Sequence, residues 1–379
     1  MKILHVDRSA ALSIWNVVEN ISNDLPEEVD VVGCRVHGYA SGVPDMQFHG
    51  RIRGIDLDLP KQSVPILSRL HRSIALVRQL RSIIRDEQPD IVHLHFAVPG
   101  NLAAFTTKWL SPKRPKLVIT RHELYGSMNA VLRAGVKVTQ RHADAVVYIS
   151  RTVAKSYGEP TNTDGSQKNL RRSVIYNGLN IDSITASADR AGARTPQQLV
   201  SVGRLAPVKG HRMVIEALPE LAKSFPLIRY TIIGEGNERE NLMSLAHRLG
   251  VSKRVHLLGW LSHADAIAEM ARSAAVIMPT RDNEGFGLAL VEAVLSGSPV
   301  VASTIPVFKE IANRGIRGIH FFTNNDVASL AKAVTKVLAQ PMAPDAIANS
   351  REQVRKEFSA KEMSRHYFAI YQQTISQGR

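Results

Sequence analysis

Short runs of apolar residues alternate along the chain with longer segments in which apolar residues recur at helical spacing. The apolar runs of the first half are KILHV, VDVVGC, DIVHLH, KLVIT and AVVYIS, and those of the second half are QLVSVG, RYTIIG, RVHLLG, AAVIMP and SPVVAS. Such a pattern is typical of parallel strands that are covered by helices. It predicts an α/β protein with two doubly wound, Rossmann-like domains, and two such domains facing each other would form a central cleft.

Two weakly patterned segments indicate where one domain ends and the other begins. Residues 158–168 and 186–198 are rich in small and polar residues, and a strand-like segment, SVIYNGLNID, lies between them. We therefore expect an N-terminal domain over residues 1–182 and a C-terminal domain over residues 195–359. The last segment, about 360–379, has apolar residues at helical spacing, so it could pack back on the N-terminal domain or form a plain terminal helix.

The composition narrows the class of protein. The chain has 379 residues, which suits two domains, and a formal net charge of +14, which favours anionic partners. The basic residues are spread over both halves without zinc-finger spacing, an aromatic RNP-like strand or an Arg/Gly tract, and this argues against nucleic acid. The only cysteine, Cys34, excludes an intramolecular disulfide. Because no apolar run approaches the roughly 20 residues that span a bilayer, we expect a cytoplasmic protein, at most peripheral on the inner membrane.

The segment TRDNEGFGLALVEAVLSGSPVVAS, residues 280–303, predicts an anion site flanked by carboxylates. A loop with glycines precedes a helix that starts near Leu288, and the unpaired N–H groups of its first turn would favour a phosphate. Glu284 lies in the loop, and Glu292 lies further along the helix, whose side chains lean back toward its start. Carboxylates in these places could accept hydrogen bonds from hydroxyls beside the phosphate, which suits a nucleotide-sugar. The alternative is that Glu284 caps the loop and Glu292 is a solvated helix residue.

A second strand, loop and helix, LVSVGRLAPVKGHRMVIEA, supplies two cations. Arg204 and Lys209 follow the strand, where a diphosphate would lie. Negative charge grows on a nucleoside diphosphate as it leaves a sugar, and two fixed cations would stabilise it. The alternative is that both are ordinary surface residues of a basic chain.

These motifs together resemble those of the retaining glycosyltransferases of family 4, which have the GT-B fold. The resemblance is carried by SVGRLAPVKG and EGFGLALVE, by IIGEG, VHLLGW and AAVIMP between them, and by VIYNGLNID before them. It extends over the whole second domain and includes the spacing of Glu284 and Glu292, with seven residues between them. It implies transfer of a sugar from a nucleotide-diphosphate donor to a hydroxyl of a glycan or glycolipid, as in bacterial polysaccharide, O-antigen or lipopolysaccharide biosynthesis.

The resemblance also implies roles for particular residues. Arg204 and Lys209 would hold the donor diphosphate, Glu284 the hydroxyls of the donor sugar, and Glu292 those of the ribose. The remaining donor-binding positions are the backbone at Phe286, Gly287 and Leu288, near the phosphates and sugar, and Leu258 and Gly259, near the base. In the first domain, VITRHELYG matches the place where the family has a histidine near the reacting sugar, so His122 is the candidate. A half-buried histidine at a strand end is the alternative. His93 and His95 are expected to be structural, with His95 the one of the two that is expected nearer the cleft.

The sequence departs from the family pattern in one loop. The family usually has a Gly-Gly pair after the first strand, where the backbone approaches donor and acceptor, but this chain reads HVDRSAALSIWN, so side chains such as Arg8 and Ser9 would crowd that edge. No metal or cofactor is expected, because two cations already lie where a metal would. The triplet DLD, residues 56–58, resembles a metal-binding motif that also arises by chance.

The acceptor side offers one further feature, a basic amphipathic segment over residues 62–85. Its arginines accompany an apolar stripe that could lie on an anionic membrane or form part of the domain core. Trp109 among the lysines of KWLSPKRPK favours binding to the membrane.

Two alternative functions remain beside that of a glycosyltransferase. One is a GT-B-like epimerase or phosphorylase, and the other is a non-catalytic nucleotide-sugar-binding protein.

Overall fold

The computed structural model describes residues 1–8, 12–36, 50–55, 66–95, 97–111, 113–159, 171–282, 284–340 and 342–376. The chain splits into two compact units, one formed by Met1–Leu179 together with Ala360–Arg379 and the other by Asn180–Ser359. The division therefore follows Leu179 rather than residue 182. Residues 183–194, which were left outside both predicted domains, belong to the second unit, and residues 183–189 are part of the helix Ile181–Asp189.

The bounds of the elements are as follows. The strands are β1 (Lys2–Arg8), β2 (Asp30–Val36), β3 (Arg51–Ile55), β4 (Ile91–Leu94), β5 (Lys116–Arg121), β6 (Ala145–Tyr148), β7 (Arg172–Val174), β8 (Gln198–Val202), β9 (Arg229–Ile233), β10 (Val255–Gly259), β11 (Ala275–Met278), β12 (Val300–Ser303) and β13 (Ile319–Phe322). The helices are α1 (Leu12–Ser22), α2 (Ile66–Glu87), α3 (Ala97–Phe105), α4 (Ala130–His142), α5 (Arg151–Ser156), α6 (Ile181–Asp189), α7 (His211–Ser224), α8 (Arg239–Arg248), α9 (His263–Arg272), α10 (Leu288–Leu295), α11 (Pro306–Ala312), α12 (Val327–Ala339), α13 (Pro344–Phe358) and α14 (Ala360–Ser376).

The first unit is built on a parallel sheet in which the described strands have the order β3-β2-β1-β4-β5-β6-β7. Its strands β1, β2, β4, β5 and β6 are buried along most of their length, as continuous apolar runs predict. The last helix, α14, packs against α1, and its Met363, Tyr367 and Tyr371 are buried. The C-terminal segment is thus part of the first unit.

The second unit has its own parallel sheet, in the order β10-β9-β8-β11-β12-β13 for the described strands. Its core includes Leu199, Ile232 and Ile277 from the strands together with Leu218 from α7 and Val334 from α12. Both units are Rossmann-like, as the alternation of apolar runs and amphipathic helices predicted. Among the helices in the described ranges, none has the length and apolar character to cross a membrane.

Candidate functional site

The strand order of the second unit creates a switch point between β8 and β11. These strands are neighbours, but the chain continues from β8 to β9 on one side and from β11 to β12 on the other. The loops that leave their carboxyl ends diverge, and open parallel sheets bind ligands in the crevice that forms there. The two motifs that the sequence singled out are the loops at this point.

The loop after β8 is held closely against the loop after β11. Gly210 has φ of +73°, and a Cβ atom there would lie 1.9 Å from the carbonyl oxygen of Pro279, so only glycine fits. The N–H of Arg281 donates a hydrogen bond to the carbonyl of Val208 over 2.9 Å. A short 3-10 helix, Pro207–Lys209, lies between β8 and α7 and places Lys209 in this contact region.

The two loops are joined by an ion pair between predicted site residues. Lys209 Nζ donates to Glu284 Oε2 over 2.7 Å, and the side chains are 24% and 20% exposed. Arg204, in the same loop as Lys209, is exposed and makes no side-chain hydrogen bond or ion pair to another described residue. The site therefore presents one cation already paired with a carboxylate and a second cation open to an anion.

The N-terminus of α10 adds backbone donors beside this pair. Gly287, at the N-cap, has φ of +87°, and no side chain caps the helix. A Cβ atom at this glycine would lie 2.6 Å from Cε1 of Phe308, and 3.7 Å from Cγ of Glu284. The first-turn N–H groups, beginning at Leu288, carry the positive end of the helix dipole. The side chain of Phe286 is buried against Phe358, so this residue can offer only its backbone.

Glu292 has a partner that the sequence did not indicate. His263, the first residue of α9, places Nε2 2.9 Å from Oε1 of Glu292. The hydrogen bond to this carboxylate raises the pKa of His263 above its ordinary value. Glu292 is therefore not the freely solvated helix residue of the alternative interpretation. A lone histidine at a helix start has no sequence signature, because its partner lies 29 residues away.

The end of β10 exposes a small apolar surface. Leu258 is 45% exposed and Trp260 is 70% exposed, and Leu261 follows them. Gly259 has φ of +75°, and its carbonyl accepts a hydrogen bond from the N–H of Gly234. An exposed indole beside an aliphatic side chain is a surface on which a planar base can stack. The sequence predicted Leu258 and Gly259 here but not Trp260.

The histidine candidate of the first unit, His122, follows β5 and is partly buried. Its Nε2 lies 3.3 Å from Nδ1 of His95, whose Nε2 lies 2.8 Å from Nδ1 of His5. Burial lowers the pKa of His5 and of His122 to about 3, and it lowers that of His95 well below the ordinary value. The rings are thus neutral near pH 7, and His122 can serve there as a hydrogen-bonding group rather than as a charge.

The other predicted positions have simpler outcomes. His93 and His95 are fully buried, as expected of structural residues. The triplet DLD, Ser9 and the side chain of Arg8 lie outside the described residues, so the structure does not bear on them.

Comparison with known proteins places the chain in a family. Residues 15–183 match the model of Glycosyltransferase Family 4, and residues 184–357 match that of Glycosyl transferases group 1. A glycogen synthase of Mycobacterium tuberculosis is 31% identical over 276 residues, which cover 71% of this chain and 65% of the relative. A phosphatidyl-myo-inositol mannosyltransferase of Mycobacterium leprae is 27% identical over 319 residues, covering 83% of this chain and 81% of the relative.

A solved structure agrees at the level of the fold. Anabaena HepE, crystallised in complex with UDP and glucose, has a TM-score of 0.72 and 21% sequence identity, with 98% of this chain and 100% of that chain covered.

The sequence alignment with the glycogen synthase spans slightly less than two thirds of that relative's length. The two family models nonetheless follow one another along almost the whole chain and divide it near the boundary between the two units. The chain therefore belongs to the family 4 glycosyltransferases and has the GT-B fold.

Proposed function

We propose that this protein transfers a sugar from a nucleotide-diphosphate donor to a hydroxyl of a glycan or glycolipid, with retention of the anomeric configuration. The observation that carries the proposal is the 2.7 Å pair of Lys209 and Glu284 at the switch point of the second unit. A cation beside an acceptor of hydroxyl hydrogen bonds suits a ligand that carries both phosphate and sugar. A nucleotide-sugar is such a ligand, and the relative solved with UDP and glucose has the same fold.

The cations and the helix start would act on the diphosphate. Arg204 is exposed and can bind two phosphate oxygens through its planar fork, while Lys209 acts as a point charge. The N-terminus of α10 provides N–H groups that are already oriented before the donor arrives. These groups would stabilise the diphosphate most strongly when it carries the full leaving-group charge, so they lower the barrier as well as binding the donor.

The carboxylates would bind the neutral parts of the donor. Glu284 would accept from hydroxyls of the sugar, and Glu292, fixed by His263, would accept from those of the ribose. Leu258 and Trp260, at the end of β10, would contact the base. His122, neutral near pH 7, is proposed as a hydrogen-bonding group for the donor sugar.

The proposed reaction is a displacement on one face of the sugar. The acceptor oxygen forms a bond to the anomeric carbon as the bond from that carbon to the phosphate oxygen breaks. The electron pair of the broken bond remains with the diphosphate, whose oxygen takes the acceptor proton. No protein base and no metal are required in this scheme, because fixed cations stabilise the leaving group. Product stereochemistry tests retention directly, by NMR coupling at the new glycosidic bond.

Kinetics of a single substitution tests the role of the free cation. We expect Arg204→Ala to lower kcat/KM for donor hydrolysis or transfer by about 100-fold, since preorganised donors contribute effects of this size. Arg248→Ala removes an exposed arginine from α8 and is the matched control, with activity unchanged. A kcat for Arg204→Ala within about twofold of the wild type would refute the electrostatic role. Release of free sugar phosphate or of an isomerised donor would instead identify a phosphorylase or an epimerase.

The surface of the first unit supports a lipid-linked acceptor and a role in cell-surface glycan assembly. In α2 the apolar stripe is divided, because Leu76, Leu80 and Ile84 are core residues while Leu70 and Ile74 are 57% and 44% exposed. A π-helical turn, Thr106–Leu110, packs beside α2. Its Trp109 is 46% exposed, as is the neighbouring Phe105. Exposed arginines lie further along α2, at Arg78, Arg81 and Arg85. Apolar and basic side chains on one surface suit an anionic membrane.

Vesicle binding tests this acceptor class. We expect the protein to cosediment with phosphatidylglycerol vesicles but not with phosphatidylcholine vesicles, and Leu70→Ser with Trp109→Ser to abolish the binding. Leu227→Ser, which changes an apolar residue that is 73% exposed in the second unit, is the control. Equal binding of the double variant and the wild type would exclude this surface and leave a soluble glycan acceptor.

A further inference from the structure

The first unit contains a group of histidines larger than the proposed reaction uses. His5 and His93 are register partners on β1 and β4, His95 follows β4, and His122 follows β5. The rings lie in succession, with centroids 5.1 Å apart for His5 and His95 and 5.6 Å apart for His95 and His122. His5 and His95 are fully buried, whereas His122 retains some exposure. The chain of rings thus leads from the core to a residue that a ligand can reach.

The hydrogen bonds along this chain have only two possible directions. A neutral imidazole has one N–H and one bare nitrogen, so each ring must donate at one nitrogen and accept at the other. If His5 donates to His95, then His95 donates to Nε2 of His122, and the N–H of His122 is at Nδ1. If the direction is reversed, Nε2 of His122 carries the proton and Nδ1 is bare.

The buried end of the chain decides between the two directions. Nε2 of His5 is buried and has no hydrogen-bond partner among the described residues. In the first direction this atom is a bare acceptor, whereas in the second it is an N–H donor. A buried N–H without a partner is rarer and costlier than an acceptor without one. The direction from His5 to His122 is therefore favoured.

The ring of His93 lies beside this chain of histidines and is held by the hydroxyl groups of a second hydrogen-bond network. Nδ1 of His93 lies 2.7 Å from the hydroxyl of Tyr371, and its Nε2 lies 2.8 Å from that of Thr120. Tyr367 hydrogen bonds to the same threonine over 2.9 Å. The His93 ring, centred 4.1 Å from that of His95, is thereby fixed against it. α14 thus supports the histidine chain through its two tyrosines.

A metal ion is a different occupant that this cluster could hold. One nitrogen from each of His5, His93 and His95 lies within 4.8 Å of the others. Both nitrogens of His93 already face hydroxyl groups, and His5 and His95 are hydrogen bonded directly to each other. Binding a metal would break these bonds, so the geometry favours the hydrogen-bonded chain.

We propose that His5 and His95 are positioning residues that hold His122 as the tautomer with its proton on Nδ1, so that His122 presents an N–H donor to the donor sugar. This role rests on the proposed function, because it takes the sugar to lie against His122. Nδ1 of His122 makes no hydrogen bond to another described residue, so its proton is available to an oxygen acceptor of the ligand. A sugar hydroxyl or ring oxygen is such an acceptor.

Nitrogen NMR of the histidine-labelled full chain tests the tautomer without any substrate. The His122 signals are assigned by their loss in His122→Gln. We expect a protonated Nδ1 and a bare Nε2 in the wild type, and a mixture of tautomers in His95→Phe, which keeps a planar ring but removes both nitrogens. Tyr371→Phe removes a hydroxyl from the same core and should leave the tautomer of His122 unchanged. A protonated Nε2 in the wild type, or one equivalent of metal by elemental analysis, would overturn the proposal.

Binding and kinetics separate positioning from general damage. We expect His95→Phe to lower kcat/KM for the donor about tenfold, the effect of one hydrogen bond, while the affinity for the nucleoside diphosphate alone stays within twofold of the wild type. If His95→Phe lowers kcat/KM for the donor and the affinity for the nucleoside diphosphate by the same factor, the role of His95 is merely structural and the proposal is overturned. If the wild type shows the expected tautomer but binds no nucleotide-sugar, the proposed function fails and the positioning of His122 stands.

Discussion

Acid should destabilise the first unit at a pH where carboxylates are still ionised. The pKa of His5 is lowered by burial from 6.5 to about 3. Between these values the unfolded chain binds a proton at this residue and the folded chain does not. Stability must therefore fall as the pH falls from 6.5 toward 3.

The size of this effect follows from the displacement of the pKa. One pH unit corresponds to about 1.4 kcal/mol, so at pH 5 His5 alone lowers the free energy of unfolding by roughly 2 kcal/mol relative to neutral pH. His93, His95 and His122 also have lowered pKa values and act in the same direction. His263, whose pKa is raised, acts in the opposite direction but belongs to the second unit.

Urea unfolding at pH 7 and pH 5 measures this difference, with tryptophan fluorescence as the signal. Trp15 is 1% exposed in the first unit, whereas Trp260 of the second unit is 70% exposed, so burial of Trp15 dominates the change. Between pH 7 and pH 5, the free energy of unfolding of His5→Gln should fall by about 2 kcal/mol less than that of the wild type. His71→Gln, at an exposed position of α2, is the control and should behave as the wild type. If the free energy of unfolding of His5→Gln falls between these pH values by an amount within 0.5 kcal/mol of the wild-type fall, the reasoning is refuted.

Three further substitutions have defined outcomes. Gly287→Ala should destabilise the second unit by about 1–3 kcal/mol because its φ is +87° and the new Cβ would lie 2.6 Å from a ring carbon; Gly126→Ala, with nothing within 4 Å, is the control in thermal unfolding. Tyr371→Phe should cost about 1 kcal/mol by urea unfolding, since His93 loses a buried partner. Lys209→Met should weaken nucleoside diphosphate binding at least tenfold by calorimetry, yet change the free energy of unfolding by less than about 1 kcal/mol, because the pair is partly exposed. Unchanged stability of the first two variants, or unchanged affinity of the third, would contradict these expectations.

The fold could be predicted because both sheets are parallel and buried. Their strands are continuous apolar runs, and ten of them were identified in the sequence. β3 and β13 were not identified, and β7 was identified only in part, by the strand-like segment that begins at Ser173. All three lie at the edges of the sheets, where burial is incomplete and the apolar signal is weak. β3, with the sequence RIRGI, is exposed at four of its five positions.

The candidate site could be predicted only where residues follow one another in a motif. Lys209 and Glu284 come from two loops that follow parallel strands, so a common edge of the sheet was foreseeable, whereas the pairing of β8 with β11 was not. The contact of His263 with Glu292 joins two helices, and no local pattern indicates it. The histidine chain likewise depends on the neighbouring positions of β1, β4 and β5 in the sheet. The sequence pattern predicts where strands lie along the chain but not which strands pair.

Binding of nucleotide-sugars to the intact protein tests the central claim most directly. Ligand-observed NMR with UDP-, GDP- and ADP-sugars, in the absence of added metal, should show one donor that binds the wild type. Glu284→Gln should weaken that binding, whereas Glu220→Gln, which changes an exposed carboxylate of α7, should not. If no donor binds, or if Glu284→Gln binds as the wild type does, the switch point of the second unit is not a donor site.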